Sequence, residues 1–226
     1  MAALKIKDIH VKPAVFTASL IFLILAVTLF TPFKIPLQIC LPAGILCIAS
    51  LWLTPWEITL ALLFSAAGDL AGDCGNLIAQ MGSFTVAHIF YIIFFIRRFF
   101  RKGTKMTAKM KGFLMMLGIC ICSLLILIFA RVVPSAPAGI IRIGAGIYAV
   151  IICIMLLTAL FQRSSLYALG AMLFVISDFA LAWNMFIESS PYANIVILST
   201  YYAAQWLLFI RATPYRIAHP VHLMRF

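Results

Sequence analysis

Two aspartates stand where an apolar chain should carry none. Asp69 and Asp178 each interrupt a long hydrophobic stretch, and a third acid, Asp73, follows Asp69 by one helical turn. A charged side chain at the centre of a bilayer costs roughly 2.5–3.5 kcal/mol on insertion scales, so such residues usually serve a purpose. Two carboxyl groups suit general acid–base work: a neutral acid delivers a proton while an ionised partner accepts one or stabilises a cation. His88 and the hydroxyls of Tyr91, Tyr201 and Tyr202 could join them, with Ser177, Asn184 and Gln205 as hydrogen-bonding neighbours. Each of these has a plainer reading. Tyrosines pack or anchor at interfaces, a lone histidine can be satisfied within a core, and Ser, Asn and Gln can be hydrogen-bonding glue between helices. Asp73 suits a solvated helix end. For Asp69 and Asp178 the spans offer no Lys or Arg as a neutralising partner.

The elements that must hold these residues follow from composition. Of 226 residues 65% are hydrophobic and 10% are charged, where a soluble domain carries about 25% charge. That excludes a soluble fold, a disordered tail and a secreted disulfide scaffold, and leaves no room for a sizeable domain outside the bilayer. The uncharged runs 13–33, 35–56, 74–96, 112–130, 143–162 and 189–210 are each long enough to cross, since a membrane helix needs about 20 apolar residues. Stretches 58–77 and 164–187 are interrupted only by the aspartates. The pattern predicts an all-α polytopic membrane protein with eight transmembrane helices, at about 14–31, 35–53, 57–77, 80–97, 112–131, 139–161, 165–187 and 191–211. They form a single integral-membrane domain over 1–226. The third and seventh spans each place their acid after a Leu-Phe pair, Leu63-Phe64 and Leu173-Phe174. That echo suggests a four-plus-four pseudo-repeat, about 14–100 and 112–211.

Orientation follows from the basic residues. With the N-terminus in the cytoplasm, Lys5, Lys7, Lys12, Arg97, Arg98, Arg101, Lys102, Lys105, Lys109, Lys111, Arg163, Arg211, Arg216 and Arg225 lie inside. Only Lys34, Arg131 and Arg142 lie outside. The asymmetry predicts cytoplasmic N- and C-termini. The basic run 97–111 then reads as a topology signal touching lipid headgroups, and no nucleic acid is expected. The first apolar run is too long for a signal peptide and lacks a small-residue cleavage site. The six cysteines contain no CxxC pair, and the four histidines no HExxH or HxxxH pair; His219 and His222 sit in the basic tail. No metal site, cofactor or obligate protein partner is expected.

Helical rise places the polar residues in depth. Asp69 lies about 18 Å and Asp178 about 20 Å from the cytoplasmic face, His88 about 13 Å, Tyr201 about 15 Å, Tyr202 about 13 Å and Gln205 about 9 Å. Tyr91 is one turn from His88, and Tyr201 and Gln205 share a helix face. One polar cluster can therefore form between the third, fourth, seventh and eighth spans, from mid-membrane toward the cytoplasm.

The motifs also carry a family resemblance. Leu63-Phe64-Ser65-Ala66-Ala67-Gly68-Asp69, then Phe84, His88 and Tyr91, is similar to the third and fourth helices of the YhhN family, eight-helix membrane proteins that include the lysoplasmalogenases. Tyr148, Met155 and Ala159 resemble its sixth helix. Gly170-Ala171-Met172-Leu173-Phe174-Val175-Ile176-Ser177-Asp178, with Ala182, Asn184 and Phe186, resembles the seventh, and Thr200-Tyr201-Tyr202-Ala203-Ala204-Gln205 the eighth. The resemblance spans about residues 40–210. It implies hydrolysis of the vinyl ether bond of lysoplasmalogens, or of a related lysophospholipid or ether lipid, to a fatty aldehyde and a glycerophospho-headgroup. Asp69 and Asp178 would be catalytic, with either one as the acid. His88, Tyr91, Tyr148, Ser177, Asn184, Tyr201, Tyr202 and Gln205 would bind substrate. It implies no cofactor, and a multi-pass position in the plasma or inner membrane if the source is bacterial. Two other readings fit intramembrane carboxylates: a proton-coupled transporter of a small solute or lipid, and a non-catalytic lipid-binding protein.

Overall fold

A computed structural model describes residues 2–32, 35–102 and 108–218. Lys34, part of the basic run and the tail with His219 and His222 lie outside the described residues. The described residues are overwhelmingly helical and contain no strand. In order they form α1 (Ala2–Thr28), α2 (Cys40–Leu53), α3 (Trp56–Asp73), α4 (Leu77–Lys102) and α5 (Ala108–Leu127). A π-helical turn, Ile128–Val132, and the short α6 (Val133–Ser135) continue α5. Then come α7 (Ile140–Leu160), α8 (Ser165–Phe186) and α9 (Ala193–Ala218).

Five helical segments are long and apolar enough to cross a bilayer: Leu77–Arg101, Leu114–Ser135, Ile140–Leu160, Ser165–Phe186 and Ala193–Pro214. Lys12–Thr28 and Cys40–Leu53 are apolar but shorter. The expected third span ends earlier than 77. It stops at Asp73 because Gly75 takes a positive φ of 72°, a conformation open to glycine and closed to most side chains. The Asn76 side chain then accepts the Ala79 N–H at 3.0 Å and starts α4. The expected fifth span runs on through the π turn, which periodicity does not reveal.

The packing brings the flagged helices together. α3 lies along α4 and α8 along α9; α7 touches both α4 and α8, and α9 also meets α2 and α3. Small residues allow the close approaches. A Cβ on Gly170 would sit 2.9 Å from the Leu208 side chain on α9, and one on Gly68 would sit 3.0 Å from the Phe84 ring on α4. Water gives no hydrophobic drive inside a bilayer, so such contacts and interhelical hydrogen bonds hold the helices together. At one end Glu57, almost wholly buried, pairs with Arg97 across α3 and α4. Near it Arg98 and Arg211 both lie over the Tyr167 ring, at 5.0 and 5.4 Å.

Candidate functional site

Asp178 on α8 is the best-defined centre. Its Oδ2 accepts the Tyr148 hydroxyl of α7 at 2.5 Å and lies 3.7 Å from His88 Nε2 of α4. His88 Nδ1 is 2.6 Å from the Phe84 carbonyl, one turn back on its own helix. A carbonyl can only accept, so Nδ1 carries a hydrogen and Nε2 turns toward the acid. One further proton, on either Nε2 or the carboxyl group, leaves the pair without net charge, which suits a site away from water.

Asp69 on α3 is 4% exposed. The Tyr201 hydroxyl of α9 lies near its carboxyl group, though neither that hydroxyl nor Asp69 Oδ2 has a hydrogen-bond partner among the described residues, and Asp178 lies within electrostatic reach of it. Aromatic rings link the acids. Phe174 is 5.3 Å from the His88 ring, 5.8 Å from Tyr91 and 5.7 Å from Tyr201, and Phe84 is 5.7 Å from Tyr201. Gln205, Tyr91, Ser65 and His88 are all buried around this centre. Asp73, in contrast, is exposed at the last residue of α3.

An apolar cavity of about 80 Å³ opens beside Asp178. It is walled by Met81 and Phe84 of α4, Ile128 and Val132 of the π turn, Ala145 and Ala149 of α7, and Val175, Phe179 and Ala182 of α8. Asp178, Tyr148 and Gln80 supply its polar groups. The cavity runs from the acid toward the Phe186 end of α8.

Other flagged residues turn elsewhere. The Tyr202 hydroxyl donates to the Ile39 carbonyl at 2.5 Å, tying α9 to the start of α2. The Ser177 hydroxyl donates to the Ile197 carbonyl at 3.0 Å and ties α8 to α9. The Asn184 side chain accepts the Ser190 N–H at 2.8 Å and shapes the loop after α8. Residue type was readable in sequence; direction was not. Conversely, Ser65, Phe84 and Phe174 reach the centre without having been singled out as site residues. Each lies four residues before a flagged one (Asp69, His88 and Asp178), and that i, i+4 relation was the available signal. Among the described residues no group of three His, Cys, Asp or Glu side chains could hold a metal ion.

Comparison with known proteins shows the family. The YhhN family model matches residues 16–212, so the chain belongs to the YhhN family and is a multi-pass membrane protein. It is 31% identical over 164 residues to lysoplasmalogenase TMEM86A of Bos taurus, covering 66% of this chain and 62% of that protein. It is 30% identical over 146 residues to lysoplasmalogenase TMEM86B of Homo sapiens, covering 64% of this chain and 58% of that one. A 36-residue segment is 58% identical to lysoplasmalogenase TMEM86B of Mus musculus, 16% of each chain. The chain thus spans about three-fifths of the first two relatives' length. No solved structure gives a significant match.

Proposed function

We propose that this protein is a lysoplasmalogenase-like hydrolase that cleaves the vinyl ether bond of a lysolipid within the membrane. The observation that carries the reading is the placement of Asp178, bonded to Tyr148 and faced by His88, on an apolar cavity with a second buried acid close by. The cavity is apolar, as an alkenyl chain requires, and about 80 Å³ takes the few carbons nearest the vinyl ether, which would meet Asp178. The names of the relatives support the same substrate class. In this reading the chain crosses the bilayer eight times, with both termini in the cytoplasm.

The chemistry needs a proton and a water. A carboxylic acid protonates the β-carbon of the vinyl ether, and the ether oxygen's lone pair forms an oxocarbenium ion. A carboxylate stabilises that cation and activates water, which adds at the α-carbon. The hemiacetal then collapses to an aldehyde and a free glycerol hydroxyl. Acid–base transfer of this kind contributes about 10²–10⁴-fold, and electrostatic stabilisation adds to it.

The test is product analysis with purified protein, lysoplasmenyl-ethanolamine and ¹⁸O-labelled water. Attack at the α-carbon leaves the glycerol oxygen unlabelled. Label in the glycerol hydroxyl would mean cleavage on the other side of the ether oxygen. Absence of aldehyde, with lysolipid or protons crossing proteoliposomes instead, would favour a transporter.

A further inference from the structure

The acid pair has an apolar cavity on one side and a set of buried, unpartnered polar groups on the other. The apolar cavity lies on the Phe186 side of Asp178, and Asp178 and Tyr148 line it, whereas Asp69 does not. One turn the other way, three helices each carry a buried polar side chain. Ser65 is one turn from Asp69 on α3, Gln205 one turn from Tyr201 on α9, and Tyr91 one turn from His88 on α4. In the eight-span arrangement proposed above α3 and α9 run antiparallel, so with Tyr201 near Asp69 the next turn of α9 falls level with Ser65.

Asp69 Oδ2, Ser65 Oγ, Tyr91 Oη, Tyr201 Oη and both amide atoms of Gln205 are buried with no hydrogen-bond partner in the described protein. Gln205 is 0% exposed. Buried polar atoms are almost always paired, and a glutamine amide needs both an acceptor and a donor. Water is the small guest that supplies both and also donates to a carboxylate.

We propose that this polar well holds the hydrolytic water, so that Asp69 is the general base, Asp178 is the proton donor and Gln205 is a positioning residue. The proposal rests on the hydrolase reading and divides its chemistry between the two sides. From the cavity, the Asp178 O–H bond breaks as the β-carbon takes the proton, leaving a carboxylate held by Tyr148. From the well, water attacks the α-carbon and passes one proton to Asp69. As the hemiacetal collapses, Asp69 returns that proton to the departing glycerol oxygen, and the hemiacetal hydroxyl proton restores Asp178. No oxidant, metal or other reactant enters the balance.

The experiment runs the full-length protein on lysoplasmenyl-ethanolamine in D₂O, measuring aldehyde and the deuterium content of recovered substrate. Asp69→Asn should lose about 100-fold or more in aldehyde release, yet wash deuterium into the β-carbon of unreacted substrate, because protonation then reverses. Asp178→Asn should lose both turnover and exchange. Gln205→Leu should lose about tenfold or more in kcat, with the ratio of exchange to hydrolysis raised above wild type. That variant carries the test if Asp69→Asn fails to fold. Exchange in Asp178→Asn but not in Asp69→Asn would reverse the roles, and exchange in neither would show that the steps cannot be divided. A Gln205→Leu rate loss at an unchanged ratio would mark Gln205 as merely structural. Each of these overturns the proposal while the wild type still releases aldehyde; an inactive, folded wild type would instead sink the hydrolase reading itself.

Discussion

Tyr148→Phe isolates one hydrogen bond at the proposed reacting centre. The substitution keeps the ring that sits 5.5 Å from His88 and removes only the hydroxyl that donates to Asp178 Oδ2 at 2.5 Å. If Asp178 gives up its proton in the transition state, its carboxyl group gains charge there, and the Tyr148 bond strengthens at that moment. A neutral hydrogen bond nets about 1 kcal/mol and one to a charged group about 1.5–3 kcal/mol. The difference, about 0.5–2 kcal/mol, is the part that lowers the barrier, and it corresponds to roughly a 2- to 30-fold fall in kcat. KM should stay within about twofold, because the ground-state contact is weak by comparison. The assay is steady-state aldehyde release with an alcohol dehydrogenase couple, on protein shown by thermal unfolding to keep its fold. An unchanged or raised kcat would refute the reasoning, since removing a donor from an ionised general base makes that base stronger.

Four further outcomes follow from the same geometry. Asp73→Asn should leave aldehyde release within about threefold of wild type in the same assay, because Asp73 is exposed at the end of α3 and such sites rarely matter. Gly68→Val should cut turnover about tenfold or more with the protein still folded, because its Cβ would meet the Phe84 ring at 3.0 Å and push it toward Tyr201 or the cavity. Glu57→Gln should lower the unfolding midpoint by roughly 2–8 °C by calorimetry, because it removes the buried partner of half-exposed Arg97, a loss of about 1–2 kcal/mol. For topology, in a background with the native cysteines replaced (Cys74 is exposed at the outer end of α3), a membrane-impermeant thiol reagent should label Tyr192→Cys in intact cells and Arg163→Cys only after lysis; the reverse pattern would invert the orientation.

Much of the grouping of the candidate residues was legible because it depends on depth and periodicity. Asp69, His88 and Tyr201 come to one centre because antiparallel helices at 1.5 Å per residue bring them to one level. Asp73 was separable from Asp69 by its place near the helix end. Side-chain direction was not legible. Nothing in a pattern of spans says that Tyr202 turns to the Ile39 carbonyl while its neighbour Tyr201 faces Asp69. Tyr148 was visible only through resemblance, since its helix bears no charge in its apolar run to mark it. The cavity depends on the π turn at Ile128–Val132 and on small side chains from two helices, a tertiary property with no local signature. Helix ends moved for local reasons, as the Gly75 break and the short α2 illustrate.

The central claim is that two intramembrane aspartates hydrolyse a lysolipid vinyl ether without a metal. The most direct measurement compares aldehyde release from lysoplasmenyl-ethanolamine by purified wild type, Asp69→Asn and Asp178→Asn, each with and without EDTA. Asn preserves volume and much of the hydrogen bonding but cannot transfer a carboxyl proton. The account predicts steady release by the wild type that EDTA does not change, and loss of about 100-fold or more in each variant. Wild-type-like release by either folded variant, or release that EDTA abolishes and zinc restores, would contradict it.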